Sequence, residues 1–155
     1  MAVDLKVQGM DQIKRKLDQL SNPKKAKQIA RKAGRQAMNI VRDAARSNAK
    51  AIDDPETREM IQKNIAVQAG KTTSQNDIKI RVGVRGGAGR NQHSVSTAGL
   101  SGGDTRHWRY LEFGTSKMPA VPFMRIAFFN NLDRVANKFV EVFDAEIGKA
   151  LSEVT

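Results

Sequence analysis

Apolar residues recur at helical spacing over three stretches of this chain. From residue 23 to residue 50, an apolar stripe and a charged stripe fall on opposite sides of a helix turning about 100° per residue. This pattern predicts a long helix with Asn22 as its N-cap and Pro23 in its first turn. A shorter helix is predicted over Met10–Leu20. A closing helix is predicted over 122–151, with an apolar stripe made of Phe128, Leu132, Val135, Phe139, Val142 and Phe143.

Alternating apolar and polar residues predict strands at Val3–Gly9, Ile65–Ala69, Asp77–Arg85 and Thr105–Phe113. Residues 53–56 are predicted to cap a short helix ending at Asn64. Residues 86–104 hold six of the twelve glycines without any period, so we expect a flexible loop there. The order predicts one α+β domain over 1–155. A small antiparallel sheet of about four strands packs against a long N-terminal helix and a long C-terminal helix.

Positive charge is concentrated near the N-terminus. The formal net charge is +11, of which +9 falls in residues 1–50 and +2 in the remainder. A stripe of basic residues along one helix face is typical of a solvated surface, and also of a surface that contacts nucleic-acid phosphates without reading sequence. The basic stripe of the long helix consists of Lys24, Lys27, Arg31, Arg35, Arg42 and Arg46.

Candidate chemistry is sparse. The chain has no cysteine, and neither His93 nor His107 stands in a metal-binding motif. Asp104 and Glu112 allow an acid–base pair, but an outward-facing strand carboxylate in a salt bridge is the simpler interpretation of Glu112. No enzymatic activity, metal or other cofactor is therefore predicted. No apolar run is long enough to predict a membrane span.

An apolar stretch with two prolines, YLEFGTSKMPAVPFMRIAF, begins at Tyr110. Tyr110 and Phe113 of this stretch, together with Trp108, could stack on nucleic-acid bases, although packing and interface roles are favoured for them. The stretch closely resembles a signature of the neck or tail-completion proteins of long-tailed bacteriophages. That signature has an aromatic-acid-aromatic-Gly-Thr strand end, a spacer, then Pro-Phe and a long helix. The plan of residues 1–50 resembles this family as well.

The resemblance implies a non-enzymatic virion protein of the head–tail junction, made in the host bacterial cytoplasm. It would form a ring or collar, with six copies or twelve, that completes the tail, joins it to the head connector and leaves a DNA passage. The implied partners are further copies, head-closure or connector proteins, and tail terminator or tube proteins. The alternatives are a tail terminator or other neck ring protein, and a stand-alone non-specific DNA-binding protein that uses the basic stripe. The expected subunit contacts are the loop 86–104 and residues Tyr110, Glu112, Phe113, Gly114, Thr115, Pro119, Pro122 and Phe123.

Overall fold

A computed structural model describes residues 9–86 and 97–153 of the chain. Within these ranges helices lie at both ends and a small antiparallel sheet lies between them, which confirms the predicted α+β class. The elements in chain order are α1 (Met10–Gln19), α2 (Pro23–Lys50), α3 (Ile61–Asn64), β1 (Ile65–Ala69), β2 (Ile80–Val84), α4 (Trp108–Phe113), α5 (Met124–Phe129) and α6 (Leu132–Ser152).

The long helix α2 is the central element and has the predicted bounds. The Asn22 side-chain oxygen accepts hydrogen bonds from the Lys24 and Lys25 N–H groups at 3.1 and 3.2 Å, which caps the first turn. Helix α6 runs antiparallel to α2, because Lys25 near the start of α2 pairs with Glu153 near the end of α6. Further along α2, Lys32 pairs with Glu146, and hydrogen bonding to Lys32 lowers the pKa of this carboxyl.

Two apolar clusters pack along α2. One lies at its N-terminal half and joins α1 to the C-terminal half of α6. The other lies at its C-terminal half and joins α3, the sheet and α5. The first contains Ile13, Leu20, Ile29, Ala33, Val142, Phe143, Ile147 and Ala150. The second contains Val41, Ala45, Ala49, Ile61, Ile65, Val84, Phe123 and Ala127.

The sheet is smaller than predicted. Strands β1 and β2 pair antiparallel, with Ile65 opposite Val84 and Ala69 opposite Ile80. They are the two strands of the described residues, so the expectation of about four is wrong for that part of the chain. The strand predicted at Val3–Gly9 falls outside the described residues except for Gly9, which forms the N-cap of α1.

The strand predicted over Thr105–Phe113 is wrong, because residues 108–113 form α4. The helix begins with turn hydrogen bonds from Trp108 N–H to the Thr105 carbonyl and from Tyr110 N–H to the His107 carbonyl. Trp108 and Leu111, three residues apart, then pack on the second cluster. Over six residues this spacing is hard to distinguish from alternation, which explains the error.

The single closing helix predicted over 122–151 is also wrong. It is divided into α5 and α6 at Asn130 and Asn131. The buried Asn131 amide donates to the Ala127 carbonyl at 2.8 Å, and its oxygen accepts from the Arg134 guanidinium at 3.0 Å. Asparagine side chains compete in this way with the backbone bonds of a helix.

The short helix α3 ends at Asn64 as predicted, but it begins only at Ile61, with Met60 at its N-cap position, so residues 53–56 do not directly precede it. The Asp53 carboxylate accepts hydrogen bonds from the Ile61 N–H at 2.8 Å and the Gln62 N–H at 3.1 Å. The buried Asn64 side chain then binds the end of the glycine-rich region and the residue that follows it, Thr105. It accepts from the Gly102 N–H at 2.9 Å and donates to the Gly103 carbonyl and the Thr105 hydroxyl.

Candidate interaction surface

The predicted subunit contacts form a compact turn between α4 and α5, here called the elbow (residues 110–123). After Gly114 the chain turns back through Thr115, whose N–H donates to the Met118 carbonyl at 2.8 Å. The Thr115 hydroxyl oxygen also accepts from the Lys117 and Met118 N–H groups. The Val121 N–H donates to the Leu111 carbonyl at 2.7 Å, so the returning chain is bonded to α4.

Glu112 holds the elbow from inside. It is 1% exposed, and one carboxylate oxygen accepts from the Phe123 N–H at 2.8 Å and the Met124 N–H at 2.9 Å. The other accepts from the Arg125 N–H at 3.0 Å and the Arg125 Nε at 3.1 Å. A buried carboxylate at the start of α5 satisfies backbone donors that have no partner within the helix. Glu112 is therefore not the outward-facing strand residue that the sequence predicted.

Gly114 makes the tight return possible. Its φ of 73° and ψ of 178° belong to a region that only glycine adopts readily. A Cβ at this position would lie 2.8 Å from the Ala120 nitrogen and 2.9 Å from the Met118 oxygen. Because both neighbours are backbone atoms of the same turn, they cannot move aside without opening it.

The outer side of the elbow is apolar. Phe113 is 63% exposed, and Tyr110, Met118 and Val121 are each more than a third exposed. The Phe113 ring contacts Trp108, with 6.4 Å between ring centroids, and lies 5.2 Å from the Arg125 guanidinium carbon. On α5 next to the elbow, Phe129 is 56% exposed. Exposed apolar side chains concentrated on adjoining segments are typical of a protein-binding surface.

The predicted contact residues of the elbow differ in exposure and fall into three groups. Tyr110, Phe113, Thr115 and Pro119 are exposed, whereas Glu112 and Phe123 are buried in the chain. Gly114 and Pro122 are half-buried. The sequence did not indicate the Glu112–Arg125 pair, although one acidic residue inside an apolar stretch was the available signal.

The basic stripe divides as well. Arg46 donates to the Ile65 carbonyl, with its Nε at 3.1 Å, and Arg42 pairs with Asp43. Lys27 donates to the Gln75 carbonyl. Lys24, Arg31 and Arg35 are exposed, and no carboxylate of the described residues lies within ion-pair distance of them.

The candidate acid–base residues, Asp104 and Glu112, have separate structural roles. Asp104 pairs with Arg106, whose hydrogen bonds lower the pKa of Asp104 to about 2, while Glu112 caps α5. His107 lies 3.9 Å from the Glu59 carboxylate, and His93 falls outside the described residues. Among residues 9–86 and 97–153 no cluster of His, Asp and Glu has the arrangement of a metal site.

The glycine-rich region is described only in part. Residues 87–96 of the predicted loop 86–104 are outside the described ranges. At its end, the Gly102 carbonyl accepts from the Met60 N–H at 2.8 Å and Ser101 donates to the Lys63 carbonyl. Of the helices in the described part, none combines the length and apolar character that a membrane crossing requires.

Comparison with known proteins agrees with the resemblance of the elbow. The sequence profile of a family described as "Bacteriophage HK97-gp10, putative tail-component" matches residues 11–114, from α1 to the glycine of the elbow. Searches against curated proteins and against solved structures return no match. The matched region includes α2, the sheet and the Glu112 side chain, and it covers about two thirds of the chain. The chain therefore belongs to the HK97-gp10-like family of phage tail components.

Proposed function

We propose that this tail component is a structural, non-enzymatic protein of the phage head–tail junction. It forms a ring or collar that completes the tail and joins it to the head connector. The observation that carries the proposal is the elbow, where an apolar outer surface is held in one conformation by a buried carboxylate. A preformed apolar projection loses little entropy when it docks on a neighbour.

The ring arises from a heterologous contact. The elbow of one copy docks on a different surface of the next copy, and such head-to-tail contacts close into rings. Six copies match a sixfold tail, and twelve match a position nearer the connector. Residues 86–104 contribute to contacts within or between rings. Neighbouring connector, terminator or tube proteins complete the set of partners, and the protein is located in the virion at this junction.

The DNA passage is lined in part by the basic stripe. Lys24, Arg31 and Arg35 are exposed and supply charge without sequence readout, as contact with phosphates requires. Arg42, Arg46 and Lys27 contribute charge from positions already fixed by intramolecular bonds.

Virion assembly tests this function directly. Phe113→Glu places a charge on the outer side of the elbow, and Ala145→Glu makes the same kind of change at an exposed position of α6. We expect Phe113→Glu to abolish incorporation into virions while the urea midpoint of the purified chain stays the same. Ala145→Glu should assemble normally. Normal incorporation of Phe113→Glu would contradict the role of the elbow.

A stand-alone DNA-binding protein is the second candidate, and the exposed Arg31 and Arg35 favour it. This function predicts DNA affinity that falls steeply with salt, and a shallower salt slope for Arg31→Glu/Arg35→Glu. It also predicts absence from purified virions, which separates it from the structural function.

A further inference from the structure

A long apolar groove runs beside α2, and one end of it reaches Arg125 and Phe129 of α5, next to the elbow. Its central recess lies between α2 on one side and β2, α5 and α6 on the other. It shares Ala30, Asn76 and Ile78 with a recess toward the start of α2. It shares Met38, Ile80 and Phe128 with a recess toward the sheet. The groove thus follows α2 from Pro23 to Val41, which is about 27 Å at 1.5 Å per residue.

The groove is lined by residues that the sequence predicts to be core. Four members of the closing-helix stripe line the central recess instead of being fully buried: Phe128, Leu132, Val135 and Phe139. The remaining two members, Val142 and Phe143, are buried as predicted. An amphipathic stripe that continues past the packed core is the usual sign that a partner completes the packing.

The central recess has a volume of about 510 Å³. Because a cavity of about 150 Å³ holds one benzene ring, there is room for about three large side chains. On the α2 side the recess is lined by the small residues Ala30, Gly34 and Ala37, and the Ile80 side chain already packs on Gly34, 3.0 Å from where a Cβ would lie. Three anchors in a groove of this length match the i, i+3 or i+4, i+7 spacing of a docked amphipathic helix.

Charge limits what the occupant can be. The charged residues that line the described groove are all basic: Lys24 and Lys27 at one end, Arg81 and Arg125 at the other. Arg125 is neutralised by Glu112. Lys27 and Arg81 donate to uncharged oxygens of Gln75 and Gln68. An occupant with carboxylates at both ends would compensate this charge.

We propose that the groove binds an amphipathic helix whose apolar face carries about three large side chains and whose flanks are acidic. That this helix belongs to another protein of the phage tail rests on the proposed function. A second copy of this chain fits the groove less well, because the exposed charged residue of its elbow is Lys117, which would bring a cation to a basic rim. Of the basic stripe, Lys24 and Lys27 also line the groove and, with Arg81, would contact its occupant. Arg31 and Arg35 lie outside the groove lining and remain available to DNA.

Synthetic peptides test the binding on the full purified chain. The probe is a helical peptide of about 18 residues with Leu on one face and Glu on both flanks, which matches the groove length. One control peptide has Lys in place of Glu, and a second has the acidic composition with the Leu positions scrambled. Fluorescence anisotropy gives the Kd of each. We expect the acidic amphipathic peptide to bind at least about tenfold more tightly than either control.

Matched protein variants separate groove binding from general attraction to a cationic protein. Lys24→Glu/Lys27→Glu/Arg81→Glu reverses groove charges, and Lys14→Glu/Arg31→Glu/Arg35→Glu reverses the same number of exposed charges elsewhere. The first triple should weaken acidic-peptide binding about tenfold or more, and the second by less than about threefold. Equal losses in the two triples, or equal binding of the scrambled peptide, would overturn the proposal.

A cross-link in assembled virions identifies the occupant. A photoreactive amino acid replaces Ile78, which lines both the central recess and the recess at the start of α2. The expected cross-link maps to a segment with spaced apolar residues and flanking carboxylates. A cross-link to DNA, to the elbow of a second copy, or to no molecule would overturn the proposal. If the chain is absent from virions, the proposed function fails, and the peptide measurement still decides whether the groove binds this class of segment.

Discussion

Replacing Glu112 by Gln is the sharpest test of how the elbow is held. One Glu112 oxygen accepts from Phe123 N–H and Met124 N–H, and the other accepts from two Arg125 donors. Gln has nearly the same shape, but one oxygen becomes an NH₂ group that can only donate. Whichever way the amide is turned, two donors lose their acceptor and face another donor.

The expected loss of stability follows from the burial of these groups. An unsatisfied buried N–H costs about 1–3 kcal/mol, and the Phe123 N–H is buried. The Arg125 side chain is 50% exposed, so water solvates its guanidinium again and the lost ion pair adds little. We therefore expect Glu112→Gln to lower the free energy of unfolding by about 2–4 kcal/mol.

Urea unfolding measures this loss. The midpoint should fall while the slope stays the same, since the surface exposed on unfolding is unchanged. Glu56→Gln, at an exposed position, is the matched control and should change stability by less than about 0.5 kcal/mol. A similarly small change for Glu112→Gln would refute the conclusion that the carboxylate holds the elbow.

Three further predictions concern other fixed points of the fold. Gly114→Ala should lower the free energy of unfolding by about 1–3 kcal/mol through backbone conformation alone, and by more through contacts of the new Cβ with the turn. An unchanged melting temperature would contradict the close approach of Met118 and Ala120. Asn22→Ala should cost about 1 kcal/mol in urea unfolding, because α2 loses its cap, whereas Ser21→Ala should have no measurable effect. Because Arg106 lowers the pKa of Asp104, their interaction stabilises the fold fully at pH values above the ordinary carboxyl pKa of about 3.9. This stabilisation is lost as the pH falls through about 2, the pKa of Asp104 in the folded chain. The stability difference between the natural chain and Asp104→Asn should follow that window, and an NMR titration of Asp104 near pH 4 would exclude the interaction.

Local sequence signals predicted the longest helix and the two strands of the sheet well. The bounds of α2 follow from Asn22, Pro23 and a sustained helical period, so nothing distant needs to be known. The bounds of β1 are also those predicted, and β2 lies within the predicted strand Asp77–Arg85. In each case the residues that determine the element are within or next to it.

The errors fall where distant partners determine the structure. Whether residues 108–113 become a strand or a helix depends on contacts with the second apolar cluster and on Glu112 reaching the start of α5. Neither contact is visible in a six-residue pattern. Of the predicted apolar stripe, Val142 and Phe143 are buried, but the periodicity does not show that Phe128 lies in a separate helix or that Phe128 to Phe139 border an open groove.

The most direct test of the structural function is an electron cryomicroscopy map of virions that contain this chain. The proposed function predicts a closed ring of copies at the head–tail junction, in which Phe113 and Met118 of each copy are buried against a neighbouring subunit. A map in which the elbow of every copy faces solvent, or in which no density fits the chain, would contradict it.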